Sequence, residues 1–491
     1  MKKLFVAFVA VGLIAALAAP SFAAELRGDG ALKLKHIITT EYASGQLLPT
    51  KQIATKRLTT MRANPRFQFI ANEYAGFVWT GEIDVDWGDS SYTDNRGGGG
   101  AIAADVVNLE NKNLYLHFSI PETPVSFRGG ITGVSIVDNF ILGTDIVGMR
   151  VLVDLGDTRI NVDWLRLWDT DENSIVDDTD FWHISGSHKF GKTAQIGGFF
   201  AYLKDGSGHS AGSGILQGAG NNNVAWLSRS AGLDTATRKE LLPATATYDG
   251  DLFYLGVQGN AMLGPVKLDG WAFYNFGEYE IKNKVIDDVD VNGFAATLRG
   301  STQIESVGLS LQALYGSGSD KDDEFTYITG EAYQLAGAFY YRTGMMILMQ
   351  DGDDINNSSA LVYNASNIWE NRTLGLIGVF AGATAKLPMN LSGKVGLGGI
   401  WSAEDRVANG ETEMGYEING KLTYQVAPNA TIALNGAYAI VGDFYQVSES
   451  DAKDYNAASA AKANDNIRGT LSANKDPDDV YYTSLVFRVA M

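Results

Sequence analysis

The chain contains no cysteine. That excludes disulfide staples, thiolate metal sites and a C-x-x-C-H haem attachment, so the fold must be held by hydrogen bonding and packing alone. Proline is scarce, with 10 in 491 residues. Positive charge is short as well: 38 Lys and Arg stand against 57 Asp and Glu, for a formal charge of -19. Such a surface repels phosphate backbones and excludes nucleic acid as a partner. Long apolar runs are missing after the first two dozen residues. A membrane helix needs about 20 apolar residues, and the longest candidate, Leu374 to Ala385, is broken by Gly375, Gly378 and Gly382. Any passage of this chain through a membrane must therefore be made by strands closed into a barrel.

What is present begins with an export signal. Lys2 and Lys3 form a short positive region, Leu4 to Ala19 an apolar one, and Ser21-Phe22-Ala23 offers small residues around a bulky one. This pattern predicts a signal peptide over 1–23, cut after Ala23 or Ala24. With both lysines removed, 36 basic residues face 57 acidic ones and the charge falls to -21. The remainder, 24–491, reads as a single domain.

Glycine (56), tyrosine (22), phenylalanine (22) and tryptophan (9) are plentiful, a composition of many strands and tight turns. Alternation with period two recurs along the chain. From Phe77 to Trp87 one face reads Phe, Trp, Gly, Ile, Val, Trp, while Glu82, Asp84 and Asp86 lie on the other. Strands with a greasy side and a wet side follow from the pleat. We place eighteen of them near 28–39, 58–71, 77–87, 109–120, 125–132, 146–155, 159–168, 181–190, 194–203, 252–262, 266–276, 291–299, 303–315, 373–387, 391–402, 413–426, 430–441 and 480–491. Sixteen or twenty remain compatible, because Ala338 to Tyr341 and Met345 to Met349, within 317–371, read as either an extra strand pair or a folded loop.

Three features predict a transmembrane antiparallel up-and-down β-barrel over a soluble sandwich. The strands run to about 9–12 residues, the length of a tilted membrane strand. Connections alternate short (Gly156-Asp157, Gly191-Lys192) and long (40–57, 88–107, 169–180, 204–250, 317–371, 442–478). That alternation implies periplasmic turns at one rim and extracellular loops at the other. Aromatics also stand near strand ends on the greasy face: Phe77, Trp87, Trp164, Trp401 and Tyr481.

The run Arg66-Phe67-Gln68-Phe69-Ile70-Ala71-Asn72-Glu73, then Glu82-Ile83-Asp84, Trp87-Gly88, the Gly97 to Gly100 loop and Asn113-Leu114-Tyr115-Leu116 resembles the homotrimeric outer-membrane porins of anaerobic Gram-negative bacteria. The likeness is best over 60–205. It implies a homotrimer in the outer membrane, among lipid and lipopolysaccharide, with the loop at 88–107 reaching a neighbour. The chain departs from many outer-membrane barrels in ending on Met491 where they end on Phe or Trp.

Little else suggests chemistry. Among His36, His117, His183, His188 and His209 none forms a metal-ligand pair; His183 and His188 fall on opposite faces of one strand. No nucleophile elbow is present and no cofactor is implied, so the chain reads as a non-enzyme. The stretch Asp169 to Asp180 imitates a calcium loop at its first, third and fifth positions but has Ser174 where Gly is needed. It reads as a solvated outer loop, or one that holds divalent cations loosely. The acidic runs Asp287-Asp288-Val289-Asp290 and 320–324 fall in long loops too.

The lumen is more informative. Arg62, Arg66, Arg128 and Arg150 fall on the polar faces of their strands and must point into water, since a charge facing lipid at mid-depth is strongly disfavoured. They line a channel either as active charges or simply paired with the acidic wall of Glu82, Asp84 and Asp86. The connection Gly133 to Asp145 is too apolar to lie in water. It predicts an inward fold that buries Ile136, Phe140 and Ile141 and presents Asp138 opposite the arginines as a pore constriction. The expected function is general diffusion of small hydrophilic solutes and ions. The alternatives are a substrate-selective channel, which would want a run of aromatics along the lumen where only Tyr115 is evident, or a conduit barrel sheathing a partner.

Overall fold

The computed structural model describes residues 24–42, 52–88, 100, 109–168, 178–206, 248–281, 288–319, 324–326, 341, 343–349, 374–405, 410–446, 448 and 479–490. In chain order the strands are β1 (Glu25–Tyr42), β2 (Gln52–Asn72), β3 (Ala75–Asp86), β4 (Leu109–Ser119), β5 (Val125–Ile136), β6 (Leu142–Asp154), β7 (Thr158–Trp168), β8 (Thr179–Phe190) and β9 (Ala194–Asp205). They continue with β10 (Tyr248–Leu263), β11 (Val266–Ile281), β12 (Val289–Ile304), β13 (Val307–Gly316), β14 (Glu324–Phe325), β15 (Leu376–Leu387), β16 (Leu391–Trp401), β17 (Glu413–Ala427), β18 (Ala430–Val441) and β19 (Val480–Ala490).

Each strand except β14 pairs antiparallel with its neighbours in sequence, and β13 pairs with β15 across the gap that β14 leaves. β1 pairs with both β2 and β19, so eighteen strands close on themselves and leave no open edge. Closure gives every wall strand a hydrogen-bonding partner on both sides, which an apolar surrounding demands. The two-residue β14 lies outside this ring and pairs parallel with β12.

The eighteen-stranded expectation holds, with boundaries moved. Wall strands run from 10 to 21 residues, the longer ones standing beyond a bilayer's thickness. The expected break between 299 and 303 is absent: β12 runs unbroken to Ile304 and the turn falls at Glu305 and Ser306, with Glu305 at positive φ. The expected 13-residue connection after β5 shrinks as well, because the pairing persists to Ile136↔Leu142. Apart from the β5–β6 tip, the short turns share one rim with the start of β1 and the end of β19, and the strand ends that flank the longer connections share the other.

The outer face carries the greasy alternation. Leu116, Leu255, Leu298, Leu311, Val395 and Ile418 are each more than half exposed. A water-surrounded protein would not display such a belt; lipid would cover it. The buried hydrophobic cluster lies on the inside of the wall, where Phe181, Phe199, Leu203, Tyr254, Phe273 and Leu314 pack with Val137, Phe140 and the segment Met345–Met349. A barrel of this size should enclose water. Its inner face is dry in places because pieces of chain fold into it.

Candidate functional site

Two inward segments define the lumen. The first is the tip of the β5–β6 hairpin. Ile136, Val137, Phe140, Ile141 and Leu142 are all buried, while Asp138 is exposed. The tip turns tightly: Phe140 N–H donates to Val137 O at 2.9 Å, and Val137, Asp138 and Asn139 all have φ between 54° and 68°. The left-handed region costs a non-glycine residue roughly 1–2 kcal/mol, so three in succession persist only because the packing around them enforces it. Phe140 supplies that packing. Its ring lies 4.7 Å from Trp271 and 6.0 Å from Phe273 on β11, five strands further round the wall.

The second segment answers what 317–371 does. Its residues 341 and 343–349 form no strand pair but a folded piece pressed against β16 and β17; residues 338–340 lie outside the described set. Both oxygens of the buried Glu417 accept backbone N–H groups, from Met346 (2.7 Å), Ile347 (2.9 Å) and Leu348 (2.8 Å). Asn419 holds the Gly344 carbonyl at 3.0 Å. β16 makes room by lacking side chains: a Cβ at Gly398 would lie 2.6 Å from the Met345 sulfur. Tyr341 then meets Phe140 edge to face at 5.2 Å and hydrogen-bonds Gln312 at 2.7 Å. A continuous bridge thus runs from β5–β6, through Phe140 and Tyr341, to the wall at β17.

Beside the bridge an aqueous cavity of about 510 Å³ remains. It extends from Asp138 at the hairpin tip toward the short-turn rim, where Gln195 and Lys267 stand second in β9 and β11. Arg150, Asp163 and His183 line it on one side and Asp269, Arg299 and Gln312 on the other, and Trp271 and the bridge's own Tyr341 line it too. The ions are largely matched. Arg150 donates to Asp163 at 2.5 Å, and the Nδ1 of His183 lies 2.8 Å from the second Asp163 oxygen. Arg299 donates twice to Asp269, at 2.5 and 2.9 Å.

The expected constriction residues divide. Asp138 is where the sequence predicts it, but the arginine within its electrostatic reach is Arg299, which sequence reasoning missed. Of the four predicted arginines only Arg150 lines this cavity. Arg62 lies on β2, where it grips Asp84 through two bonds of 2.6 and 2.7 Å and Glu82 at 3.0 Å. Arg66 sits 3.6 Å from Asp29, and Arg128 lies over the ring of Tyr115. The acidic wall is equally engaged. Glu82 and Asp84 are 1% exposed and Asp86 is half-buried. Lys112 links Glu82 (3.0 Å) to Asp145 (3.1 Å) at the base of the inward hairpin. These charges therefore brace the hairpin rather than face its tip. Register explains the difference: Arg62 pairs Asp84 and Arg150 pairs Asp163 directly across neighbouring strands, where opposite charges meet most closely.

The aromatic run absent from the sequence reading also exists. Phe181, Tyr254, Phe273 and Trp271 follow one another at 5.8, 6.4 and 5.8 Å along the inner wall. They come from three strands, β8, β10 and β11, so no single stretch displayed them. Several other expectations fall outside the described residues: the signal peptide, most of the 88–107 loop, 169–177 of the calcium-like stretch, Asp287, 320–323 and Met491.

An eighteen-stranded closed antiparallel barrel, narrowed by inward segments, has the architecture of an outer-membrane porin. No protein-family model matches the chain and no curated protein matches it. Solved structures do. The chain is similar to OccK8 (OprE) of Pseudomonas aeruginosa, at 10% identity over 95% of this chain and 98% of that one, TM-score 0.51. It is likewise similar to OccAB1 of Acinetobacter baumannii, at 10% identity over 96% and 99%, TM-score 0.52. A third is OpdQ of Pseudomonas aeruginosa, at 10% identity over 95% and 97%, TM-score 0.50. At such identity the likeness establishes the fold.

Proposed function

We propose that the chain is an outer-membrane channel that selects among small hydrophilic solutes, rather than the wide general-diffusion pore that its sequence first suggests. The observation that supports this best is the bridge. Phe140 and Tyr341 meet inside the lumen, and beside them lies a chamber of about 510 Å³ lined largely with polar side chains. A pore this restricted discriminates by shape and hydrogen bonding as well as size. A conduit barrel would need the width that the bridge occupies.

In this reading the residues placed at the constriction are Asp138, Arg150 and Arg299, with Arg62, Glu82 and Asp84 as its brace and Arg66 and Arg128 as wall charges toward the short-turn rim. The signal peptide over 1–23 routes the chain to the outer membrane, where it assembles as a homotrimer among lipid and lipopolysaccharide. The acidic outer loops hold divalent cations loosely, and the channel uses no cofactor. Purified protein in planar bilayers tests the reading. The expected result is a conductance well below that of an unobstructed barrel, reduced further by particular solutes. A large ohmic conductance indifferent to solute identity would restore general diffusion.

A further inference from the structure

We propose that the chamber beneath the bridge is built for an uncharged, hydroxyl-rich solute of mono- or disaccharide size. This rests on the reading of the chain as a channel and names what it carries. The charge balance argues it first. The chamber's cations, Arg150, Arg299 and Lys267, are matched by Asp138, Asp163 and Asp269. Two of the three cations already donate to a carboxylate at 2.5 Å, Arg150 to Asp163 and Arg299 to Asp269. A carboxylate entering against either arginine would have to compete with Asp163 or Asp269, and an ammonium entering against either of these aspartates would have to compete with Arg150 or Arg299. Either exchange leaves a partly buried ion unpaired, which is costly.

The neutral groups argue it second. Gln195, Gln258 and Asn260 line the chamber, and none makes a side-chain hydrogen bond to another described residue. Each amide offers two donors and an acceptor. Together with Ser187 they present both halves of a hydroxyl group's needs, so a polyol exchanges its water for them without a charge being stripped. Trp271 and Tyr341 line it as well, and an aromatic ring suits the C–H face of a sugar. The volume of about 510 Å³ falls in the range of small-molecule sites.

Liposome swelling with the full-length protein tests this, using glucose, gluconate and glucosamine as size-matched neutral, anionic and cationic probes and sucrose as the larger one. Glucose should enter several-fold faster than either charged probe, and sucrose should still enter. Q258L/N260L should reduce the glucose-to-gluconate ratio several-fold. Asp269→Asn, which frees Arg299, should instead raise gluconate entry. Heat-modifiable gel mobility reports that each variant still forms a barrel. Gluconate or glucosamine entering fastest in the parent, or an unchanged ratio in Q258L/N260L, would overturn the assignment while leaving the channel intact. A parent protein with no KCl conductance would overturn the channel reading itself.

Discussion

Phe140 and Tyr341 lie 201 positions apart in sequence, yet their rings meet edge to face at 5.2 Å in the middle of the barrel. Each comes from a different connection of the long-loop rim, and both are buried. Trp271 packs against both, at 4.7 and 5.7 Å. If this contact sets the pore's width, Phe140→Ala should widen it. Truncating a packed phenylalanine costs about 3–5 kcal/mol in a core, here charged mostly to the hairpin tip, since the wall's own ladders remain. Single-channel conductance should rise several-fold and proteolysis at the tip should quicken. Conductance equal to the parent's would show that the opening lies elsewhere.

Glu417 offers a way to loosen the other half of the bridge. It accepts three backbone N–H groups in a row from Met346, Ile347 and Leu348. A hydrogen bond to a charged group contributes about 1.5–3 kcal/mol, and a neutral amide keeps only part of that. Glu417→Gln should therefore leave the barrel folded but speed hydrogen exchange at the amides of 346–348, with more frequent opening events in bilayer recordings. Unaltered protection at those amides would mean that packing of Met345–Met349, and not the carboxylate, holds the segment.

The charges separate into brace and field. Removing Arg62 takes two hydrogen bonds from Asp84 and one of two cations from Glu82, both 1% exposed, and breaking a buried pair costs about 3–5 kcal/mol. Arg62→Ala should lower the unfolding temperature more than it shifts selectivity. Asp138 is exposed at the tip, so Asp138→Asn should barely change stability yet move the reversal potential toward anions, and Arg128→Ala should move it toward cations. If Arg62→Ala shifts the potential most, the division into brace and field fails.

Topology has its own check. With β1 starting and β19 ending at the short-turn rim, the strand ends that flank 207–247 and 449–478 lie at the opposite one. Protease added to intact cells should cut there; cutting only after the outer membrane is opened would reverse the orientation.

Assembly follows from the sequence resemblance. Unheated gel samples should migrate near three times the monomer mass, and a monomer band in mild detergent would remove the trimer.

How much of this was legible in advance can be read from particular residues. Period-two alternation, such as Val78, Thr80, Glu82 and Asp84 on one face of β3, is a local property of the pleat, so the sequence by itself determined the strands, their facing, the rim of short turns and the closed barrel that membrane chemistry demands. The apolar tip Ile136 to Ile141 likewise announced an inward fold, because water rejects such a loop wherever it lies. What the tip would touch was not legible. Arg299 opposite Asp138, Trp271 beneath Phe140 and Glu417 beneath Met346 are separated from their partners by tens to hundreds of residues. Their meeting depends on how eighteen strands stagger as the ring closes and on where two long connections enter it. Charges show the same limit. A sequence says that Arg62 and Asp84 share the wet face, but whether they bind each other or face a solute depends on cross-strand register, and only the closed barrel set that register.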